Sequence, residues 1–163
     1  MTTLLSEILH QASAGKWSTA HFNISTLEQM RAICQAALNL RSPVLIGTSE
    51  GERKHVGLFQ AVALRDAFRK EFGVPIFLNA DHSKSVEAAM AAIDAGYDSI
   101  HIDLSALPYE ENVAGTKKVA EYAKEKGENG KYEISVEGEL GILKGESKIQ
   151  KEVIEVKPEE LTT

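Results

Sequence analysis

The sequence has a single cysteine, no CxxC pair, no GxGxxG motif, no run of about 18 apolar residues and no excess of positive charge. Each absence removes a class of protein. Cys34 alone closes no internal disulfide and forms no paired-thiol metal site. Set among the helix formers of 31–40, it reads as a buried, inert thiol. Residues 1–15 hold one Leu-Leu pair interrupted by Glu7, His10 and Gln11, which is no secretory core. No later stretch approaches a membrane span, so a cytoplasmic location is the expectation. The formal charge of -6 argues against broad attraction to nucleic acid or an anionic membrane. An anionic substrate would have to be met by local positive groups.

What is present describes a single globular domain over 1–163, with 43% hydrophobic and 26% charged residues. Short apolar runs alternate with longer amphipathic ones, the rhythm of repeated β/α units. A leading helix is expected over 4–14 and a weak strand over 19–23. Ser25 with Glu28 forms a capping box that opens the next helix, whose apolar face carries Leu27, Met30, Cys34 and Ala37. Strands follow at 44–46 and 76–78, with a polar turn over 47–51 and a helix over 56–72 between them. A helix over 85–95, a strand over 99–103 and a helix from Pro108 to about Lys126 come next. Residues 127–130 read as a loop, 134–140 as the fifth strand, 141–151 as a mobile loop, and 158–160 as the start of another helix.

The candidate strand ends Asn23, Thr48, Ala80, Asp103 and Glu139 recur about every 23 to 36 residues, as parallel β/α repeats require. An open doubly wound sheet and a (β/α)8 TIM-type barrel both fit that rhythm. The missing dinucleotide fingerprint and the polar groups at every strand end favour the barrel, in which those ends share one mouth. A whole barrel needs roughly 250 residues. The expectation is therefore an α/β fold of the (β/α)8 type carrying a leading helix and five β/α units. Its first and fifth strands would keep open edges, which favour pairing with another chain or a homo-oligomer.

Three clusters could carry chemistry. Asp81-His82 follows an apolar strand, His101 and Asp103 alternate at the end of the next, and Glu137 and Glu139 alternate at the end of the fifth. Imidazoles with carboxylates suit Zn²⁺ or a similar divalent ion. Each also has a plainer reading. Asp81 could cap a helix beside a structural histidine, and His101 could be a half-buried, hydrogen-bonded side chain. Two glutamates facing solvent would cost nothing, whereas two facing a core need a cation or donors. Ser49, Lys144 and Ser147 fit ordinary loops.

At these residues the sequence resembles the class II, metal-dependent fructose-bisphosphate/tagatose-bisphosphate aldolase family, in its N-terminal portion. The likeness runs through His21-Phe22-Asn23, Ser49-x-Gly51, Asp81-His82, the segment 102–112 (IDLSALPYEEN) and the segment 136–141 (VEGELG). It implies reversible aldol cleavage of a phosphorylated ketose to dihydroxyacetone phosphate and glyceraldehyde 3-phosphate, with Zn²⁺ or another divalent metal polarising a carbonyl. His82 matches the first zinc-binding histidine and Asp81 the acid/base carboxylate for the C4 hydroxyl. Asp103 and Glu139 match carboxylates that bind metal, and Asn23 and Ser49 match residues near the substrate.

The chain departs from the family pattern at three places. Asn79 stands where the family usually has histidine, two residues before Asp81. Lys144-Gly145-Glu146-Ser147 replaces a Gly-Gly pair followed by acidic residues. The family's proton-donating loop glutamate aligns with Ser147, so that role is either lost or moves to Glu146. The remaining zinc-binding histidines and main phosphate loops belong to later strands, and His10, His21 and His55 lie on the wrong elements to replace them. The resemblance thus leaves an aldolase portion inactive by itself, a non-catalytic half-barrel completed by a partner chain, and another metal-dependent barrel lyase as competing expectations.

Overall fold

The computed structural model describes residues 4–130 and 133–141. Five strands alternate with helices: α1 (Leu5–Gly15), β1 (Ala20–Asn23), α2 (Leu27–Leu40), β2 (Val44–Thr48), α3 (Glu50–Val56), α4 (Leu58–Phe72), β3 (Ile76–Ser83), α5 (Val86–Ala95), β4 (Ser99–Ile102), α6 (Tyr109–Gly130) and β5 (Ser135–Gly138). The sheet order is β1-β2-β3-β4-β5, and every pair is parallel. A doubly wound sheet reverses its strand order near the middle. This sheet never reverses, which is the winding of a partial barrel.

Strand alternation divides the side chains between two faces. Val44, Ile46, Ile76, Leu78, Ile100 and Ile102 are fully or nearly buried in the main core against the helices, where Met30, Cys34, Phe68 and Ala92 meet them. Each such aliphatic side chain contributes about 1.5–3 kcal/mol on burial. The intervening residues Leu45 and Phe77 pack instead with Leu5 and Ile8 of α1. The leading helix therefore plugs the inner face at the strands' N-terminal ends. Above that plug the inner face carries polar residues toward the C-terminal ends.

Several boundaries move. The box at the start of α2 uses Thr26 and Gln29, one residue later than Ser25 and Glu28: Gln29 N–H donates to Thr26 Oγ1 at 3.3 Å, and Gln29 Oε1 accepts from Thr26 N–H at 3.2 Å. Starting there turns Met30, Cys34 and Ala37 inward and leaves Leu27 45% exposed. Residues 50–56 form the short helix α3, which breaks at Gly57, where φ is +92° and ψ 134°. That backbone state suits glycine. Residues 127–130 continue α6, not a loop, because Ala123 stays buried and an Lys124–Glu128 pair spans the turn. β3 runs on to Ser83, past the expected 76–78. The loop expected over 141–151 and the helix expected at 158–160 lie, save Gly141, outside the described residues.

Candidate active site

Consecutive residues of a regular strand point to opposite faces, so Asp81 and His82 should not share a site. They do because β3 is bulged. Its register against β4 shifts between Ala80 and Ser83, and His82 has a positive φ of 44°. A non-glycine residue there stores on the order of 1–3 kcal/mol of strain. The cap of α5 is Ser85, whose Oγ accepts from Ala88 N–H at 3.1 Å. Asp81 is therefore free of the capping duty.

Arg53 of α3 braces the bulge. Its guanidinium is 6% exposed and donates to the Thr48 carbonyl, to the Asp81 carbonyl at 3.1 Å and to Ser83 Oγ at 3.2 Å. Burial lowers the Arg53 pKa, opposed by nearby Tyr97, Glu50, Asp81 and Glu52.

Asn23, from β1, reaches Asp81 across β2. Its Nδ2 donates to Asp81 Oδ2 at 2.8 Å and to Glu52 Oε2 at 3.0 Å. The bridge is possible because β2 has Gly47 beneath it: a Cβ there would collide with the side chains of Asn23 and His21. Ser49 caps α3, and its N–H donates to Glu52 Oε2 at 2.6 Å. Glu52 thus ties Asn23, Ser25 and Ser49 together.

The second half of the site gathers around His82. Its Nδ1 lies 2.9 Å from Asp103 Oδ2 in a hydrogen bond and 3.3 Å from Glu139 Oε2. His101 sits 3.6 Å (Nδ1) from Asp81 Oδ1 and 3.2 Å (Nε2) from Glu139 Oε2. The two imidazole centroids are 4.3 Å apart and tilted by 45°. Asp103 is held by Ser105, whose hydroxyl and N–H donate to Oδ1 at 2.6 and 3.2 Å. Asn112, buried on α6, donates to the Glu139 carbonyl at 2.7 Å. That bond joins the two long sequence motifs.

The electrostatics follow from these contacts. The His101 contact, partly opposed by burial and aided by Asn23 and His82, holds Asp81 down to about 2. The same contact with Asp81 raises His101. Burial pushes Asp103 up, but Ser105 and His82 outweigh it and leave its pKa lowered. Burial, then the charge of Asp103, pushes Glu139 up.

Glu139 carries the clearest chemical demand. Its side chain is 6% exposed, and neither carboxylate oxygen has a hydrogen-bond partner. Both imidazoles approach Oε2 closely, but no N–H is aimed at it. A buried carboxylate in that state calls for a cation. Asp81, His82 and His101 form one group of ligand atoms within 4.8 Å of one another, and His82, Asp103 and Glu139 form another. The donors fit a divalent transition ion.

The structure thus brings together Asn23, Asp81, His82, Asp103 and Glu139, with Ser49 adjoining through Glu52. Glu137 does not join them: β5 ends at Gly138, so alternation does not carry to Glu139, and Glu137 is exposed. Glu146, Ser147 and Lys144 lie outside the described residues. Asn79 is 3% exposed, and its Oδ1 has no partner. Sequence reasoning missed Glu52, Arg53 and Asn112 and left His101 as structural; the S-x-x-E spacing of Ser49 and Glu52 was the available signal for the first. A groove of about 610 Å³ lined by Leu4, Ala123, Ile134 and Val136 shares no residue with this cluster.

The chain is similar to known proteins over most of its length. The model of the family described as fructose-bisphosphate aldolase class-II matches residues 3–163. A fructose-bisphosphate aldolase of Geobacillus stearothermophilus is 41% identical over 145 residues, 87% of this chain and 48% of that protein. One from Treponema pallidum is 40% identical over 147 residues, 85% of this chain and 42% of that protein. Among solved structures, the YdjI aldolase of Escherichia coli K12 superposes with a TM-score of 0.72 at 25% identity, covering 83% of this chain and 51% of that one. The fructose-bisphosphate aldolase of Campylobacter jejuni, 22% identical, shares the fold with a TM-score of 0.74 over 88% of this chain and 47% of that one. The chain spans about half the length of the curated relatives it matches.

Proposed function

The chain belongs to the class II fructose-bisphosphate aldolase family, and from that premise we propose that it supplies the acid/base residue and part of the metal site of an aldolase. The reaction is reversible cleavage of the C3–C4 bond of fructose 1,6-bisphosphate, or of its tagatose epimer, to two triose phosphates. Asp81 Oδ accepts the C4 hydroxyl proton as the bond breaks, and the electron pair stays on the three-carbon ketone fragment. Asp81 is ionised at neutral pH, as a base must be. Asn23 holds its carboxylate through Nδ2. His82, Asp103 and Glu139 hold the divalent ion, with Zn²⁺ the first candidate. That ion, when bound, polarises the ketone carbonyl. Ser49 lies beside the substrate, and Glu146 returns the proton to the ketone fragment. The carrying observation is the bulge that turns Asp81 and His82 onto one site.

The test is cleavage of both bisphosphates by zinc-loaded protein carrying this chain within a complete barrel. Asp81→Asn should lower kcat about 10²- to 10⁴-fold with zinc content unchanged. Wild-type protein that cleaves neither sugar, or an Asp81→Asn variant with full kcat, would overturn the proposal.

A second reading has its own support. All four residues of β1 are exposed, and Phe22 is 50% exposed. A half-barrel that pairs through its edges with another chain would cover them.

A further inference from the structure

We propose that His101 is itself a metal ligand, supplying a second imidazole to the site formed by His82, Asp103 and Glu139. This rests on the metal-site reading above and extends it to a residue that the family resemblance does not assign. The geometry is specific. Two ligands about 2.0–2.1 Å from a zinc ion at a tetrahedral angle lie roughly 3.4 Å apart. Glu139 Oε2 is 3.2 Å from His101 Nε2 and 3.3 Å from His82 Nδ1, so both imidazoles stand one such edge from the same oxygen.

The contacts are poor as hydrogen bonds. Glu139 is more than nine-tenths buried, yet no N–H points at either of its oxygens. His101 Nδ1 stands 3.6 Å from Asp81 Oδ1, beyond an ordinary hydrogen bond. Charge points the same way. Asp81, Asp103 and Glu139 bring three carboxylates against two imidazoles in a half-buried pocket. With neutral imidazoles, a divalent ion offsets most of that excess and satisfies Glu139. His101 belongs to the group with Asp81 and His82 and reaches the other through Glu139 Oε2; imidazoles with carboxylates suit Zn²⁺ or Co²⁺ over Mg²⁺ or Ca²⁺.

The experiment loads the 163-residue chain with Co²⁺ and with Zn²⁺. Affinity is measured by competition with a chromophoric chelator, and ligand type by the visible spectrum of cobalt. The variants are His101→Gln, His101→Cys, His82→Ala and the exposed His55→Ala, each checked for an unchanged circular dichroism spectrum. If His101 is a ligand, His101→Gln weakens Zn²⁺ binding about 100-fold or more, at or above the limit for losing a mere supporting group. His101→Cys then retains cobalt and acquires a thiolate-to-metal charge-transfer band, a signature that a structural role cannot produce. His55→Ala changes neither. Binding lost in His82→Ala but intact in His101→Gln, with no such band in His101→Cys, would overturn the role of His101 and leave the metal site standing. No binding by the wild-type chain would overturn both. Should His101→Gln fail to fold, the His101→Cys spectrum decides alone.

Discussion

Asp81 shows how one side chain's surroundings decide its protonation. His101 and Asn23 favour its charged form and burial opposes it, leaving a pKa of about 2. A folded pKa below the unfolded value of about 3.9 means stability that is complete above the latter and lost as pH falls through the former. In metal-free protein the contribution is on the order of 2 kcal/mol, because one unit is about 1.4 kcal/mol. Urea unfolding at pH 7 and pH 2.5 should therefore show a larger loss in wild-type protein than in Asp81→Asn. Equal losses would contradict the assignment. The sequence displayed Asp81, His82, Asp103 and Glu139 because each stands at a strand end within a recognisable motif. Arg53 was hidden by its setting. A run such as Ser49-Glu50-Gly51-Glu52-Arg53-Lys54 has the composition of a solvated turn, and nothing local tells which cation folds inward.

Among the elements, β3 and α6 do the positioning. Arg53 collects the Asp81 carbonyl at the bulge in β3 together with the Thr48 carbonyl at the end of β2. Arg53→Ala should destabilise the chain by about 2–4 kcal/mol, since buried acceptors and Ser83 lose their donor. It should also weaken zinc binding about 10- to 100-fold by loosening His82. Lysine at this position should rescue little, because one ammonium cannot span the acceptors of the planar fork. Denaturant midpoints and a zinc titration measure both effects. On α6, Asn112→Leu removes the donor to the Glu139 carbonyl. A loss of about 1–3 kcal/mol is expected, with weaker metal binding and unchanged helix content by circular dichroism. Unchanged metal affinity would show that Asn112 does not place Glu139. A bulge has no sequence period, so neither device was legible. Regular strands and caps were, apart from shifts such as Thr26 for Ser25.

For the whole molecule, the spacing of strand ends already implied parallel β/α units, and the unreversed order β1 to β5 bears this out. What spacing could not convey is which face each residue takes once a strand ends, and so Glu137 and Glu139 part company. The exposed strand β1 leads to an expectation of association: light scattering on the 163-residue chain should give a mass above 17.8 kDa that rises with concentration. A concentration-independent monomer would argue against edge pairing. The centre itself is tested most directly by the zinc content of the purified chain beside His82→Ala, by elemental analysis after dialysis against trace metal. One zinc per chain, lost on substitution, is the expected result, because His82 joins both groups of donors. No zinc above background, or equal zinc in the variant, would contradict a metal centre built on these strand ends.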